Sequence, residues 1–318
     1  MRAAVAETPG PLHRVVRVRD VPEPGPPAPG EVHVQMTATT INPSDLVTLA
    51  GAYGSRTSFP FVPGFEGVGV ISRTGAGVPE RIVGDRVLPI GSPGAWQQTK
   101  RTAPAWCVPV PDDIDDATAC AAYINPLTAM LMVERFAGEG ARQVIVDAAT
   151  SVIGGHLAEL LALRGLSPVA LTRGTPGRTV ADPSLWRGVV STSEPRWRER
   201  ALDLLGAAPD LVFDCVGGEQ GSELARLLAP GGVLVHYGLL SGVPLDPTVF
   251  AGTRVEMFRL RDVIHAAERP PLDELFAPVF THLRAGRLRT RISGRHDLGE
   301  LPGLTLGGGG KHLITLRD

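Results

Sequence analysis

An apolar run, Val144-Ile145-Val146, leads into Asp147-Ala148-Ala149-Thr150-Ser151-Val152-Ile153-Gly154, and Ile153, Leu157, Leu160 and Leu161 then recur at helical spacing. A strand, a turn of small residues and a helix in that order make an anion site. The first backbone N–H groups of a helix lack internal partners and point at whatever precedes them. The pattern that receives the pyrophosphate of a dinucleotide is G-x-G-x-x-G. Its three glycine positions here hold Ala149, Ser151 and Gly154. Small side chains still let a backbone approach a ligand, and Thr150 or Ser151 is placed to cap the helix. The spacing alone also fits an ordinary strand-to-helix turn, so the neighbouring segments decide. The next strand-like run ends Leu171-Thr172-Arg173 with no acid at its tip. An acid there would take the ribose 2′-OH of NAD, whereas Arg173, with Arg178 near in sequence, suits the 2′-phosphate of NADP. Phe213-Asp214-Cys215-Val216-Gly217-Gly218 and Gly238-Leu239-Leu240-Ser241-Gly242 each follow a strand end, the edge where open α/β sheets bind ligands. The expected cofactor is NADPH. Its expected contacts are Ala149, Thr150, Ser151, Val152, Ile153, Gly154, Thr172, Arg173, Arg178, Cys215, Val216 and Gly217.

These segments need a scaffold, and the rhythm of the chain supplies one. From Val5 to about Val110, short apolar runs (Val15-Val16, Glu31 to Met36, Val68 to Ile71, Arg86 to Pro89) are broken by Pro and Gly, as in a compact antiparallel β region. After Pro111-Asp112-Asp113, strand-like runs at Gln143 to Val146, Pro168 to Leu171, Asp210 to Phe213 and Gly232 to His236 alternate with helical stretches, one of them Glu219 to Ala229. That alternation is the mark of a doubly wound parallel sheet. The strand-like Lys311 to Leu316 is expected to rejoin the first region, and the glycines 307–310 before it read as a loop, since no helix follows to make a phosphate cradle.

Composition sets the class. Over 318 residues with 43% hydrophobic and 20% charged side chains, the chain has the length and apolar content for a large core, and a net charge of −2 gives no field to recruit nucleic acid or an anionic membrane. Cys107, Cys120 and Cys215 are scattered, with no C-x-x-C among them, as expected in a reducing compartment. No signal-like segment opens the sequence, since Glu7 and Pro9 interrupt it, and no apolar stretch reaches the roughly 18 residues of a membrane span. The expectation is a cytoplasmic protein. The eight histidines form no H-x-H or H-x-x-x-H cluster that would suggest a metal.

Several spaced motifs together resemble the zinc-independent medium-chain dehydrogenase/reductases, among them quinone oxidoreductases and, more closely, mitochondrial-type 2-enoyl thioester reductases. They are Ile41-Asn42-Pro43-Ser44-Asp45, Gly51-Ala52-Tyr53-Gly54, Pro63-Gly64-Phe65-Glu66-Gly67-Val68-Gly69, Gly84-Asp85-Arg86-Val87, Trp96, Asn125-Pro126-Leu127-Thr128-Ala129, Asp214-Cys215-Val216-Gly217-Gly218 and Tyr237-Gly238. The resemblance runs nearly the full length. It implies a GroES-like β domain over 1–117 and 257–318, a Rossmann domain over 118–256, an α/β fold overall and an active site in the cleft. Zinc-dependent relatives carry a Gly-His-Glu triplet where this chain has Gly64-Phe65-Glu66, and a cysteine near Asn42, so both ligands are missing.

Without a Lewis acid to polarise an alkoxide, the expected acceptor is already activated: a double bond conjugated to a carbonyl, or a quinone. The resemblance makes Tyr53 the candidate proton donor and Asn42 the group that positions substrate or cofactor amide. It sets Thr128 near the nicotinamide and adds Tyr237, Gly238 and Lys311 to the cofactor contacts. Trp96 and Phe258 are candidates for an acyl pocket. The expected function is NADPH-dependent reduction of a 2-enoyl thioester carried on coenzyme A or an acyl carrier protein. Two alternatives are a quinone or enone reductase and, because Ala149 and Ser151 replace glycines, an NADPH-binding regulatory protein without chemistry. Arg284, Arg287, Arg289, Arg291 and Arg295 form either a patch for such a carrier or a solvated edge. A homodimer is expected, with the edge-like Gly232 to Val243 as its contact.

Overall fold

The computed structural model describes residues 1–52, 57–174, 179–306 and 310–316. It divides into two compact units, 1–124 with 264–318, and 125–263. The dividing points fall at 124/125 and 263/264, where the sequence alone suggested 117/118 and 256/257.

The first unit holds strands β1 (Arg2–Ala6), β2 (Val16–Asp20), β3 (Val32–Thr40), β4 (Gly67–Thr74), β5 (Arg86–Pro89), β6 (Thr99–Thr102) and β7 (Cys107–Pro109). The second holds β8 (Val144–Val146), β9 (Val169–Thr172), β10 (Gly188–Ser191), β11 (Leu211–Asp214), β12 (Val233–His236) and β13 (Arg254–Met257). The chain then returns to the first unit with β14 (Ile292–Asp297) and β15 (Lys311–Thr315).

In the first unit β3 is the organising strand. It pairs antiparallel with β4 on one edge, and with β6 along Val32–Gln35 and β15 along Ala38–Thr40 on the other. Val34 and Met36 of β3 pack with Ala4, Val16, Leu49, Trp96 and Ile314 in one buried cluster. The C-terminal strand therefore rejoins the first region. Gly64 shows why the Gly-Phe-Glu triplet keeps its glycine: its φ is +93°, and a Cβ there would lie 2.3 Å from the Trp96 ring.

The second unit is a six-stranded, all-parallel sheet in the order β10-β9-β8-β11-β12-β13. The first strand lies centrally and the order reverses beside it, which is the doubly wound Rossmann arrangement. Ile145, Val169, Val212 and Leu234 of the sheet pack with Trp197, Leu224 and Ala225 of its helices. Sequence reasoning located four of these strands and missed β10 and β13. Gly188-Val189-Val190-Ser191 is too short to show a period, and Arg254-Val255-Glu256-Met257 is half charged. The missed β13 corrects one expectation: β12 is flanked by β11 and β13, so the strand within the segment from Gly232 is interior and the edge strand on that side is β13.

Candidate active site

In the first unit, register brings together residues distant in sequence. Thr39 of β3 pairs with Gly67, and Thr40 pairs with Leu313, so Glu66, Asn42 and Lys311 all meet at one end of β3. Glu66 is fully buried and accepts four hydrogen bonds. The donors to Oε1 are Thr40 Oγ1 at 2.6 Å, Asn42 Nδ2 at 2.9 Å and the Lys311 ammonium; the donor to Oε2 is the Ile124 backbone N–H at 2.9 Å. Burial opposes ionisation of Glu66, but the Lys311 charge and these hydrogen bonds outweigh it and hold the group below its ordinary value. Beside it lies Asp45, buried, accepting the N–H of Asn42 at 2.7 Å and of Phe65 at 3.1 Å. Burial pushes Asp45 up to about 7.

Asn42 precedes the helix Pro43–Leu49 and is 1% exposed. Its amide nitrogen is held by Glu66, while its Oδ1 has no hydrogen-bond partner among the described residues. A buried carbonyl oxygen left in that state favours a ligand N–H or O–H. Tyr53 lies outside the described residues, three positions beyond Ala50, the C-cap of that helix.

Three of the expected contacts are enclosed or already paired. Trp96 is fully enclosed and its Nε1 donates to Thr40 O at 3.1 Å, so it presents no surface to an acyl chain. Phe258 is likewise buried, its N–H bound to His236 O. The Lys311 ammonium, expected at the cofactor, is committed to Glu66.

In the second unit, the helix Val152–Ala162 starts directly after the β8 turn. Ser151 is its N-cap and accepts from Gly154 N at 3.2 Å. The first-turn N–H groups of Val152 and Ile153 are left without intrahelical acceptors. Gly154 is the one fingerprint glycine that must stay: a Cβ would lie 2.9 Å from Ala149 Cα and O. Ala149 itself is buried with its N–H bound to Leu171 O, and Thr150 is half-buried. Thr172 is half-buried at the end of β9, and Arg173 is exposed just beyond it. Arg178 lies outside the described residues.

The turn after β11 holds Cys215, Val216 and Gly217, and Gly238 packs against it, since a Cβ there would lie 2.9 Å from Cys215 Cβ. Tyr237 follows β12 with its N–H on Asp214 O, and Thr128 is buried on the helix Ile124–Phe136. Among the described residues, the turns after β8, β9, β11 and β12 thus lie along the carboxyl ends of the parallel strands, and the N–H groups at the Ser151-capped helix start suit a phosphate.

Sequence reasoning gave no role to Asp147, Asp214 and His236, which lie side by side on this edge. Phe213 pairs with Val146, and Asp214 with His236, so three consecutive strands end in a row of titratable groups. The available signal was an acid or histidine closing each apolar run; the strand order was needed to make them neighbours.

Of the arginines near the C-terminus, Arg284 makes a two-point pair with Asp113 (2.7 and 2.8 Å) and Arg287 donates to His282, leaving Arg289, Arg291 and Arg295 exposed. Among the described residues no group of three His, Cys, Asp or Glu side chains could hold a metal ion, and no helix is long and apolar enough to cross a membrane.

Residues 28–112 match the alcohol dehydrogenase GroES-like domain, and residues 189–303 match the family described as zinc-binding dehydrogenase. The chain is 34% identical over 227 residues to the mitochondrial enoyl-[acyl-carrier-protein] reductase of Bos taurus, an overlap that covers 69% of this chain and 60% of that protein. It therefore spans about three-fifths of the length of that relative. A solved structure from Bacillus thuringiensis, provisionally assigned as an NADPH:quinone reductase, superposes with a TM-score of 0.87 at 30% identity over 99% of both chains. The Escherichia coli quinone oxidoreductase complexed with NADPH shares the fold, with a TM-score of 0.85 at 19% identity over 99% of this chain and 100% of that one. With both layers of the fold and nearly the whole chain accounted for, this protein belongs to the medium-chain dehydrogenase/reductase superfamily, in its quinone oxidoreductase-like group.

Proposed function

We propose that the chain uses NADPH to reduce a carbon–carbon double bond conjugated to a carbonyl, with a 2-enoyl thioester as the acceptor. The observation that carries this reading is the Ser151-capped helix start on the carboxyl edge of the parallel sheet, with Arg173 and no acid at the tip of the neighbouring strand. NADPH, when bound, supplies a hydride to the β-carbon of the acceptor. The chain's own tasks are to stabilise the negative charge that builds on the carbonyl oxygen and to deliver a proton to the α-carbon. Tyr53 is assigned the proton, since a phenol near its ordinary pKa of ~10 is a serviceable donor to an enolate. Asn42 is assigned to positioning, because Glu66 fixes the orientation of its side-chain amide at the start of the helix Pro43–Leu49. The thioester is supported by the name of the bovine relative, and the exposed Arg289, Arg291 and Arg295 suit the phosphates of its carrier.

A quinone is the second reading, favoured by the Bacillus thuringiensis likeness over the whole chain. Following NADPH oxidation with crotonyl-CoA and with a naphthoquinone separates the two. Turnover of the thioester that falls roughly 10²–10⁴-fold in Tyr53→Phe, with NADPH still bound, supports the enoyl reduction. Quinone turnover indifferent to that substitution supports the second reading, and binding without any turnover leaves a cofactor-binding protein.

We assign the subunit contact of a homodimer to the β13 edge of the parallel sheet. Among the described residues its outer backbone groups have no further strand to pair with, and Leu239, Leu240, Val243, Phe250 and Met257, from the segment around it, are exposed. Sedimentation should give a dimer for the wild type and a monomer for Met257→Glu; a monomeric wild type at micromolar concentration would sink the assignment.

A further inference from the structure

The row Asp147, Asp214 and His236 takes part in none of the steps above, and it is sealed from water. Asp147 and Asp214 have no exposed surface, and His236 is 6% exposed. Asp147 accepts the N–H of Cys215 at 2.9 Å and of Val216 at 3.3 Å, and the side-chain amide of Gln220 at 3.3 Å. Asp214 accepts the N–H of Val216 at 3.1 Å and of Gly217 at 3.0 Å, and pairs with His236 Nδ1 at 2.5 Å. Both carboxyl groups accept the same Val216 N–H, so they lie side by side. Two buried carboxylates at that spacing repel, which favours one proton on the pair. Burial and the adjacent Asp214 charge push Asp147 well above its ordinary value. Burial opposes ionisation of Asp214 too, but hydrogen bonding, first of all from His236, holds it below its ordinary value. Asp147 is therefore the neutral group and Asp214 the anion. Cys215 and Tyr237, which also face Asp147, stay neutral because burial pushes both up.

We propose that Asp147 is a positioning residue for the cofactor: through the Cys215 and Val216 N–H groups it accepts, it ties the Cys215–Gly217 turn to the Ala149–Gly154 turn, so that the two loops at the dinucleotide edge keep one spacing. The inference rests on the cofactor reading above. It explains why an acid stands inside a buried strand-to-helix turn, where an unpaired carboxylate would be costly. As pH rises and Asp147 loses its proton, two buried anions face each other and the tie breaks.

The test compares Asp147→Asn with Asp147→Ala. An asparagine is uncharged at every pH and its oxygen keeps the bond from Cys215, while its nitrogen replaces the oxygen that accepts from Val216 and Gln220; alanine removes the tie. The readouts are the NADPH dissociation constant by fluorescence titration between about pH 6 and about pH 9, and the thermal midpoint of the cofactor-free protein over the same range. At the acidic end, asparagine should bind within about threefold of wild type and alanine about tenfold or more weaker. Wild-type affinity should fall toward the alkaline end while the asparagine variant stays flat. An asparagine variant as weak as alanine, or an alanine variant as tight as wild type, overturns the proposal. If the alanine variant does not fold, the asparagine profile decides alone: a fall with pH parallel to wild type overturns it. A wild type that binds no NADPH overturns the cofactor reading and this role with it. The cofactor-free midpoints tell that failure apart, because the tie by itself still places asparagine near wild type and alanine below it.

Discussion

Glu66→Leu should lower the stability of the folded chain by about 3–5 kcal/mol, read as a shift of the urea midpoint, because it strands a buried ammonium. Lys311 is 4% exposed and has no other carboxylate partner among the described residues. Thr40, Asn42 and the Ile124 N–H lose their acceptor in the same step. Adding Lys311→Met should recover part of the loss, since it removes the stranded charge but leaves the other three donors unpaired. The acid limb of stability gives a second readout. Glu66 is held below its ordinary value in the folded state, so its contribution is present above the unfolded-state value of 4.5 and is lost as pH falls through the folded one. In Glu66→Gln that limb should shrink. A midpoint unchanged in Glu66→Leu would mean that the Lys311 ammonium reaches water, contrary to its burial.

Lys100 should dominate the alkaline limb. Its ammonium is buried and donates to Pro89 O at 2.7 Å and Ser92 O at 2.8 Å, two neutral acceptors with no counter-charge. Burial lowers it from 10.5 to about 7. A depressed folded-state value means that its contribution is whole above 10.5, falls as pH drops toward 7 and is level below that. At 1.36 kcal/mol per unit, the window spans about 5 kcal/mol. Burial pushes the neighbouring Cys107 up to about 12, which works in the opposite direction above pH 9, so wild type is best compared with Lys100→Met at each pH. The difference in unfolding free energy between the two should change steadily across the window. A constant difference would show that Lys100 keeps its charge, with water reaching it.

The parallel sheet was legible because buried parallel strands are apolar throughout: Val144 to Val146, Val169 to Leu171, Leu211 to Phe213 and Val233 to Val235 announce themselves by composition. The helix after β8 was legible from its spacing and from Ser151, which does cap it. β10 and β13 escaped because a short edge strand with polar or charged residues has the same composition as a loop. The polar networks escaped for a different reason. Glu66 and Lys311 are 245 positions apart, and Asp147 and Asp214 are 67 apart; nothing in local pattern reports that antiparallel pairing joins the first two and parallel pairing the second. Trp96 and Phe258 are candidates for a pocket by residue type, and both are buried. A large aromatic side chain serves either purpose, and only its surroundings tell which.

Lys100 and Lys311 are the only lysines of the chain, all its other basic side chains are arginines or histidines, and both lysines are enclosed. The folded protein therefore shows solvent no side-chain ε-amine. Activated acyl thioesters transfer their acyl groups to neutral amines and not to guanidinium, which stays protonated. An enzyme of the kind proposed would work among such compounds without accumulating acyl-lysine on its surface. The same arrangement makes lysine acylation a covalent recorder of opening, because each ε-amine becomes reactive only when the network around it comes apart.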